Sequence, residues 1–235
     1  MDCDPYKMTP NIIKKFLNER HIIIIANGLT SVGDSSIIGV GGDEVDTESF
    51  DWVHTLNEKQ KIKFFGGKTK AALFDAGLLN REDYFKPLKN IDLTGILIPD
   101  NTALNHSIIG DYKQPSKDFP NGRLSGGGHT AAAMDKRGLI YNIVRTDSNG
   151  VMFGNVPGHK ETFKRIGEGQ IWFPQNWTQY DIYSAGIYTA NRGSVIDALR
   201  KEAVYKGINI RVMSDSSGKI VSIFPNYNQQ GGVKK

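Results

Sequence analysis

The sequence holds one cysteine, Cys3, among 235 residues. A disulfide within the chain and a thiolate metal cluster are both excluded, so the fold needs no oxidising compartment. Long apolar runs are also missing. The longest, His21 to Ala26, is a strand or part of a buried helix, far short of the roughly 18–20 residues that span a bilayer. No membrane span is expected. No basic, apolar, small-residue leader opens the chain, so a secreted protein of this sequence would need another carrier. Gly39-Val40-Gly41-Gly42-Asp43 has no Gly-Lys-Ser/Thr after it and lacks the dinucleotide spacing, which sets aside a phosphate-binding loop there. Internal repeats and low-complexity tracts are absent.

What is present is an ordinary globular composition, 39% hydrophobic and 23% charged. A chain this long can bury a core without disulfides or metals. The net charge of +4 is uneven. Residues 1–95 carry 12 Lys+Arg against 14 Asp+Glu, and residues 96–235 carry 17 against 11. A basic surface around a site favours a polyanion such as RNA. The change near residue 95 marks the expected boundary between an N-terminal, helix-rich subdomain (1–95) and a catalytic domain (96–235).

In the first part, Asn11 to Arg20 carries apolar residues at Ile12, Ile13, Phe16 and Leu17, one face of a helix. His21 to Asn27 reads as a strand and 28–48 as loop. Thr69 to Leu79 predicts a helix, Asn80 to Asp83 the start of another, and Asp92 to Pro99 a strand. In the second part, Thr130 to Met134 predicts a helix. Leu139 to Arg145 and Gly150 to Val156 predict a hairpin across the Asp147-Ser148-Asn149-Gly150 turn. Gln170 to Pro174 reads as a short strand. Thr178 to Asn191 predicts a helix capped by Thr178, with Gly186 as its weak point. Ile208 to Met213 and Lys219 to Pro225 predict a second hairpin. Helices with antiparallel hairpins and no βαβ alternation imply an α+β fold.

The chemistry concentrates between Asn105 and Thr130. His106 begins His-Ser-Ile-Ile-Gly110-Asp111, and His129 follows Gly126-Gly127-Gly128. Histidine gives or takes a proton near neutral pH. The glycines remove Cβ atoms that would hold a ligand off the backbone. Two histidines with nearby N–H donors are the parts needed to move a phosphate between two oxygens, and both are expected in polar, Gly-flanked loops. Trp172 and Trp177 are assigned to the core. His21, His54 and His159 show no ligand spacing and receive no role.

His106-x-x-x-Gly110-Asp111 and Gly126-Gly127-x-His129 resemble the two histidine motifs of the EndoU endoribonucleases. Trp172-Phe173-Pro174-x-x-Trp177-Thr178 resembles the aromatic-Pro segment of the bacterial branch. Gly218-x-x-x-Ser222-Ile223-Phe224-Pro225 is similar to the closing hairpin of the coronavirus relative, with Ser222 for its Thr and Phe224 for its Tyr. Four motifs in family order cover residues 102–226. The resemblance implies an EndoU-like, RNase A-like fold with two small antiparallel sheets and flanking helices. It also implies a His-His-Lys triad that leaves a 2′,3′-cyclic phosphate. The family's lysine position is Gly or Glu here, so Lys164 is assigned the third role, with Lys160 and Arg165 as the other nearby cations. Gly127, Gly128, Ser222 and Phe224 are expected to bind substrate, the last two as a base pocket.

The resemblance further implies a toxin domain that is secreted or delivered and acts in a target cell's cytoplasm. Its substrate would be tRNA or other single-stranded RNA, and its partner an immunity protein. Residues 1–95 would be an accessory region or one that carries the domain into a cell. No cofactor is required, though a divalent metal such as Mn is compatible. Two other readings stand beside this one: a metal-dependent hydrolase with His106, Asp111 and His129 as ligands, and a catalytically inactive RNA-binding module on the same fold.

Overall fold

A computed structural model describes residues 23–26, 29–32, 36–39, 53–120 and 122–229 of the chain. The helix expected over Asn11 to Arg20 lies outside them. The chain divides into two compact units, Met1–Thr94 and Gly95–Lys235.

In the first unit, β1 (Ile23–Ala26), β2 (Leu29–Val32) and β3 (Ser36–Gly39) form an antiparallel meander. The expected strand is therefore present, but the loop expected over 28–48 contains two more. Two helices follow, α1 (Glu58–Phe64) and α2 (Lys68–Asp75). Asn57 and Gln60 form a reciprocal capping box at the start of α1. The α2 helix ends near Gly77, whose φ of +66° lets the Leu78 N–H turn back to the Leu73 carbonyl. The segment Arg81–Asp83 makes one 3₁₀ turn. Lys70 is buried on α2 with its amine donating to the Tyr84 and Lys86 carbonyls. Burial lowers its pKa to about 8.

The second unit is α+β with small antiparallel sheets, as expected. There are three among its described residues, one more than the two expected, because a two-stranded ribbon is added. Helix α3 (Asn101–Ile108) leads into this ribbon, β4 (Asp111–Lys113) and β5 (Arg123–Gly126). Next come α4 (Ala131–Lys136) and the sheet of β6 (Asn142–Thr146), β7 (Met152–Asn155) and β8 (Gln170–Trp172). Helix α5 (Gln179–Arg192) precedes the four-stranded sheet of β9 (Ser194–Asp197), β10 (Arg200–Tyr205), β11 (Ile208–Ser214) and β12 (Ile220–Pro225), ordered 12-11-10-9.

Thr178 caps α5 as the sequence predicts, and Asp181 completes a capping box. Gly186, which weakens that helix on propensity, is required for packing. A Cβ there would lie 2.4 Å from Ile223 Cδ1 and 3.1 Å from the Pro99 ring. Trp172 is fully buried with Leu124, Met134, Met152 and Val156, consistent with a core role. Trp177 stacks on Phe173 at 5.3 Å.

Two further expectations fail. Asp92 to Pro99 is not a strand. Gly95 turns at φ +76°, and Leu97 pairs both its N–H and its carbonyl with the Asn191 side chain instead of a neighbouring strand. His106 is not in a loop. It sits on α3, which Asp100 caps by accepting the Ala103 N–H at 2.8 Å.

Candidate active site

The two histidines reach one place by a short series of backbone bonds. The Gly128 N–H donates to the His106 carbonyl at 3.0 Å, and the His129 N–H donates to the Ser107 carbonyl at 2.7 Å. This seats the glycine loop on the C-terminal turn of α3. Gly127 has φ +60°, and a Cβ there would stand 1.9 Å from the His106 carbonyl oxygen. Only glycine allows that approach. The buried Gln170 side chain donates to both the Gly127 and Gly128 carbonyls at 3.1 Å. Phe173 N–H donates to the His129 carbonyl at 2.8 Å.

Ser107 adds a third connection. Its hydroxyl donates to the Ala103 carbonyl and accepts the Ile223 N–H at 2.8 Å. Helix α3 is thereby bonded to β12, the strand that carries Ser222 and Phe224.

A cavity of about 670 Å³ opens at this junction. His106, His129, Lys164, Gly127, Ser222 and Phe224 all line it. Each imidazole has its Nδ1 engaged. His106 Nδ1 lies 2.7 Å from Asp111 Oδ2, and as the carboxylate accepts, Nδ1 carries the hydrogen. His129 Nδ1 donates to the Ile171 carbonyl at 2.8 Å. In both rings Nε2 is the nitrogen left for chemistry. His129 is buried, and burial, reinforced by the charge of Lys164, lowers its pKa to about 3. Its Nε2 is therefore a bare lone pair at neutral pH. Phe224 stacks on the His129 ring at 5.2 Å.

Lys164 ends a 3₁₀ turn, Thr162–Lys164, and is half-buried. Burial lowers its pKa. Its charge acts on both His129 and His159. Lys160 also lines the cavity, but exposed and 3.8 Å from Glu161. Arg165 donates to the His159 and Lys160 carbonyls and is not part of the wall.

Gly128 departs from its expected role. It does not line the cavity, and its N–H is spent on His106. It positions His129. His159, given no role from the sequence, is buried in the cavity wall. Its spacing from the other histidines follows no ligand pattern, and only the run of cations after it marked the segment. Lys219 was also missed. It lies in the wall, paired with Asp100 at 2.9 Å.

Among the described residues no three His, Cys, Asp or Glu side chains gather to hold a metal ion. His106, Asp111 and His129 therefore form no ligand set. No helix among these residues is long and apolar enough to cross a membrane.

Residues 100–227 match a family model described as Bacterial EndoU nuclease. No match was found among curated proteins or among solved structures. The matched span has the same limits as the cavity wall, whose first and last residues are Asp100 and Tyr227.

Proposed function

The chain belongs to the bacterial EndoU nuclease family, and from that membership we propose that it is an endoribonuclease cleaving RNA through the substrate's own 2′-hydroxyl. His129 Nε2 takes the proton from the 2′-hydroxyl as O2′ attacks phosphorus. His106, acting as the imidazolium with Nδ1–H held by Asp111, gives its Nε2 proton to the departing O5′ and returns to the neutral ring. The products are a 2′,3′-cyclic phosphate and a 5′-hydroxyl. General acid and base catalysis of this kind contributes about 10²–10⁴-fold for each group. Negative charge grows on the non-bridging oxygens, and Lys164 offsets it. What supports this reading is one observation: both imidazoles have Nδ1 held, so each offers Nε2 to the same cavity, and Lys164 lines it.

Ser222 and Phe224 receive an unpaired base, Ser222 by hydrogen bonding and Phe224 by stacking. That favours single-stranded substrates such as tRNA loops. In the same reading the protein is a delivered toxin that acts in a target cell's cytoplasm and is blocked by an immunity protein. Residues 1–95 are then accessory to the nuclease or carry it into the cell.

The test is incubation of the purified protein with total RNA, with and without EDTA, and mapping of the new 3′ ends. Cyclic-phosphate ends in both samples are expected. A substrate with 2′-deoxyribose at the cut should resist. Its cleavage at a comparable rate would make water the attacking group and overturn the reading.

A further inference from the structure

His159 is completely buried, yet it lies in the wall of the cavity. Its Nδ1 accepts the Glu161 N–H at 2.9 Å. An accepting Nδ1 puts the ring's single hydrogen on Nε2. That Nε2–H has no hydrogen-bond partner and no contact with bulk water. Leaving a buried donor unpaired is costly, so such a group in a cavity wall calls for a partner.

The ring is also firmly placed. Its loop is closed by bonds from Val156 N–H to the Lys164 carbonyl at 3.0 Å and from Lys160 N–H to the Leu124 carbonyl at 3.1 Å. Burial, with the charges of Lys164, Lys160 and Arg165, lowers its pKa to about 4. His159 is therefore a neutral donor near neutral pH. With Nδ1 accepting and the hydrogen on Nε2, this ring presents a donor where His129 presents a lone pair, and a donor suits an anionic oxygen.

Resting on the endoribonuclease reading above, we propose that His159 Nε2–H donates to a non-bridging oxygen of the scissile phosphate, beside Lys164, as a further substrate-binding residue of the site. Lys164 supplies charge, and His159 supplies direction. Contact requires a small shift of the wall, as active-site hydrogen bonds often tighten only when substrate is bound.

Two variants separate this role from a structural one. His159→Gln retains an N–H at the position of Nε2 and gives up the Nδ1 bond to Glu161. His159→Asn retains an acceptor for Glu161 and cannot reach the cavity. The proposal expects single-turnover cleavage by the Asn variant to fall roughly 10²-fold, as on loss of one transition-state donor, with the shape of its pH–rate profile unchanged. The Gln variant should stay within about tenfold of wild type by the same measure. The reverse order, or equal rates, would overturn the proposal and leave His159 a loop anchor.

A measurement on the wild-type protein is independent of cleavage. In ¹⁵N-imidazole NMR spectra, the His159 Nε2–H resonance should move on titration with an oligonucleotide that is 2′-deoxy at the cut site. It should move again with inorganic phosphate alone. Failure of wild type to cut RNA would sink the endoribonuclease reading. A stationary Nε2–H resonance in the presence of bound oligonucleotide would sink this one.

Discussion

The Ser107 hydroxyl accepts the Ile223 N–H at 2.8 Å across 116 residues of sequence. This one bond joins the helix of His106 to the strand of Ser222 and Phe224, next to the backbone carbonyl that receives His129 N–H. Ser107→Ala should leave the Ile223 N–H buried and unpaired, at a cost of about 1–3 kcal/mol. Urea denaturation should report that loss with an unchanged slope, and cleavage should fall although no cavity-lining residue has changed.

His106→Ala and His129→Ala are each expected to abolish RNA cleavage with the fold retained. Circular dichroism and single-turnover cleavage together check this. Cleavage by a folded variant within tenfold of wild type would remove that histidine from the mechanism.

Gly127→Ala tests the close approach itself. The new methyl would collide with the His106 carbonyl, and φ +60° would be strained as well. Either α3 or the glycine loop must move. Cleavage should fall by at least about 10²-fold, since a misplacement of 1 Å can cost that much. A crystal structure of the variant should show the His106–His129 separation altered.

Lys164→Ala should lower the cleavage rate roughly 10²–10³-fold while RNA binding changes only a few-fold. Lys160→Ala should cost far less. A second effect follows from the field of Lys164 on His129, which lowers that pKa. Removing the charge raises it, so the acid limb of the pH–rate profile should move to higher pH. If Arg165→Ala alone is crippled, the cation assignment is wrong.

Stability should fall as the solution is acidified. His129 and His159 have folded pKa values of about 3 and about 4, both lowered first by burial. In the unfolded chain each takes a proton near the usual value of about 6.5. Between these limits the unfolded state binds more protons, so unfolding is favoured as pH drops from about 6.5 toward 4. The loss is on the order of 2–3 kcal/mol for each buried ring. Denaturation midpoints at pH 7 and pH 4.5 would measure it, and His159→Gln should flatten the slope.

The parts of the site legible in the sequence were those with a local signature. His106 and His129 stand beside glycines whose conformation the chain cannot do without, and Thr178 announces its helix three residues before Asp181. The rest depends on partners distant in sequence. Helix α3 is short and built largely of Asn, Thr, Ser and His, weak helix formers. Its Ala103, Leu104, Ser107 and Ile108 are buried, so packing, including that against β12, outweighs propensity. Ile96, Leu97 and Ile98 have strand composition, but Asn191 takes up both of Leu97's backbone groups. His159 became visible only once its neighbours were known, because an unpaired N–H is a property of surroundings. Lys164 was legible as one of three nearby cations, and only the geometry separates it from Arg165, whose guanidinium holds the loop.

The dependence of α3 on β12 has a consequence for the birth of the chain. During synthesis His106 and His129 leave the ribosome well before Ile223. Until that last strand docks, Ser107 has no Ile223 to hold, and the cavity lacks the side formed by Ser222 and Phe224. A growing chain thus carries both histidines before the cavity around them is complete. Completion of the cavity therefore waits for nearly the whole second unit to emerge.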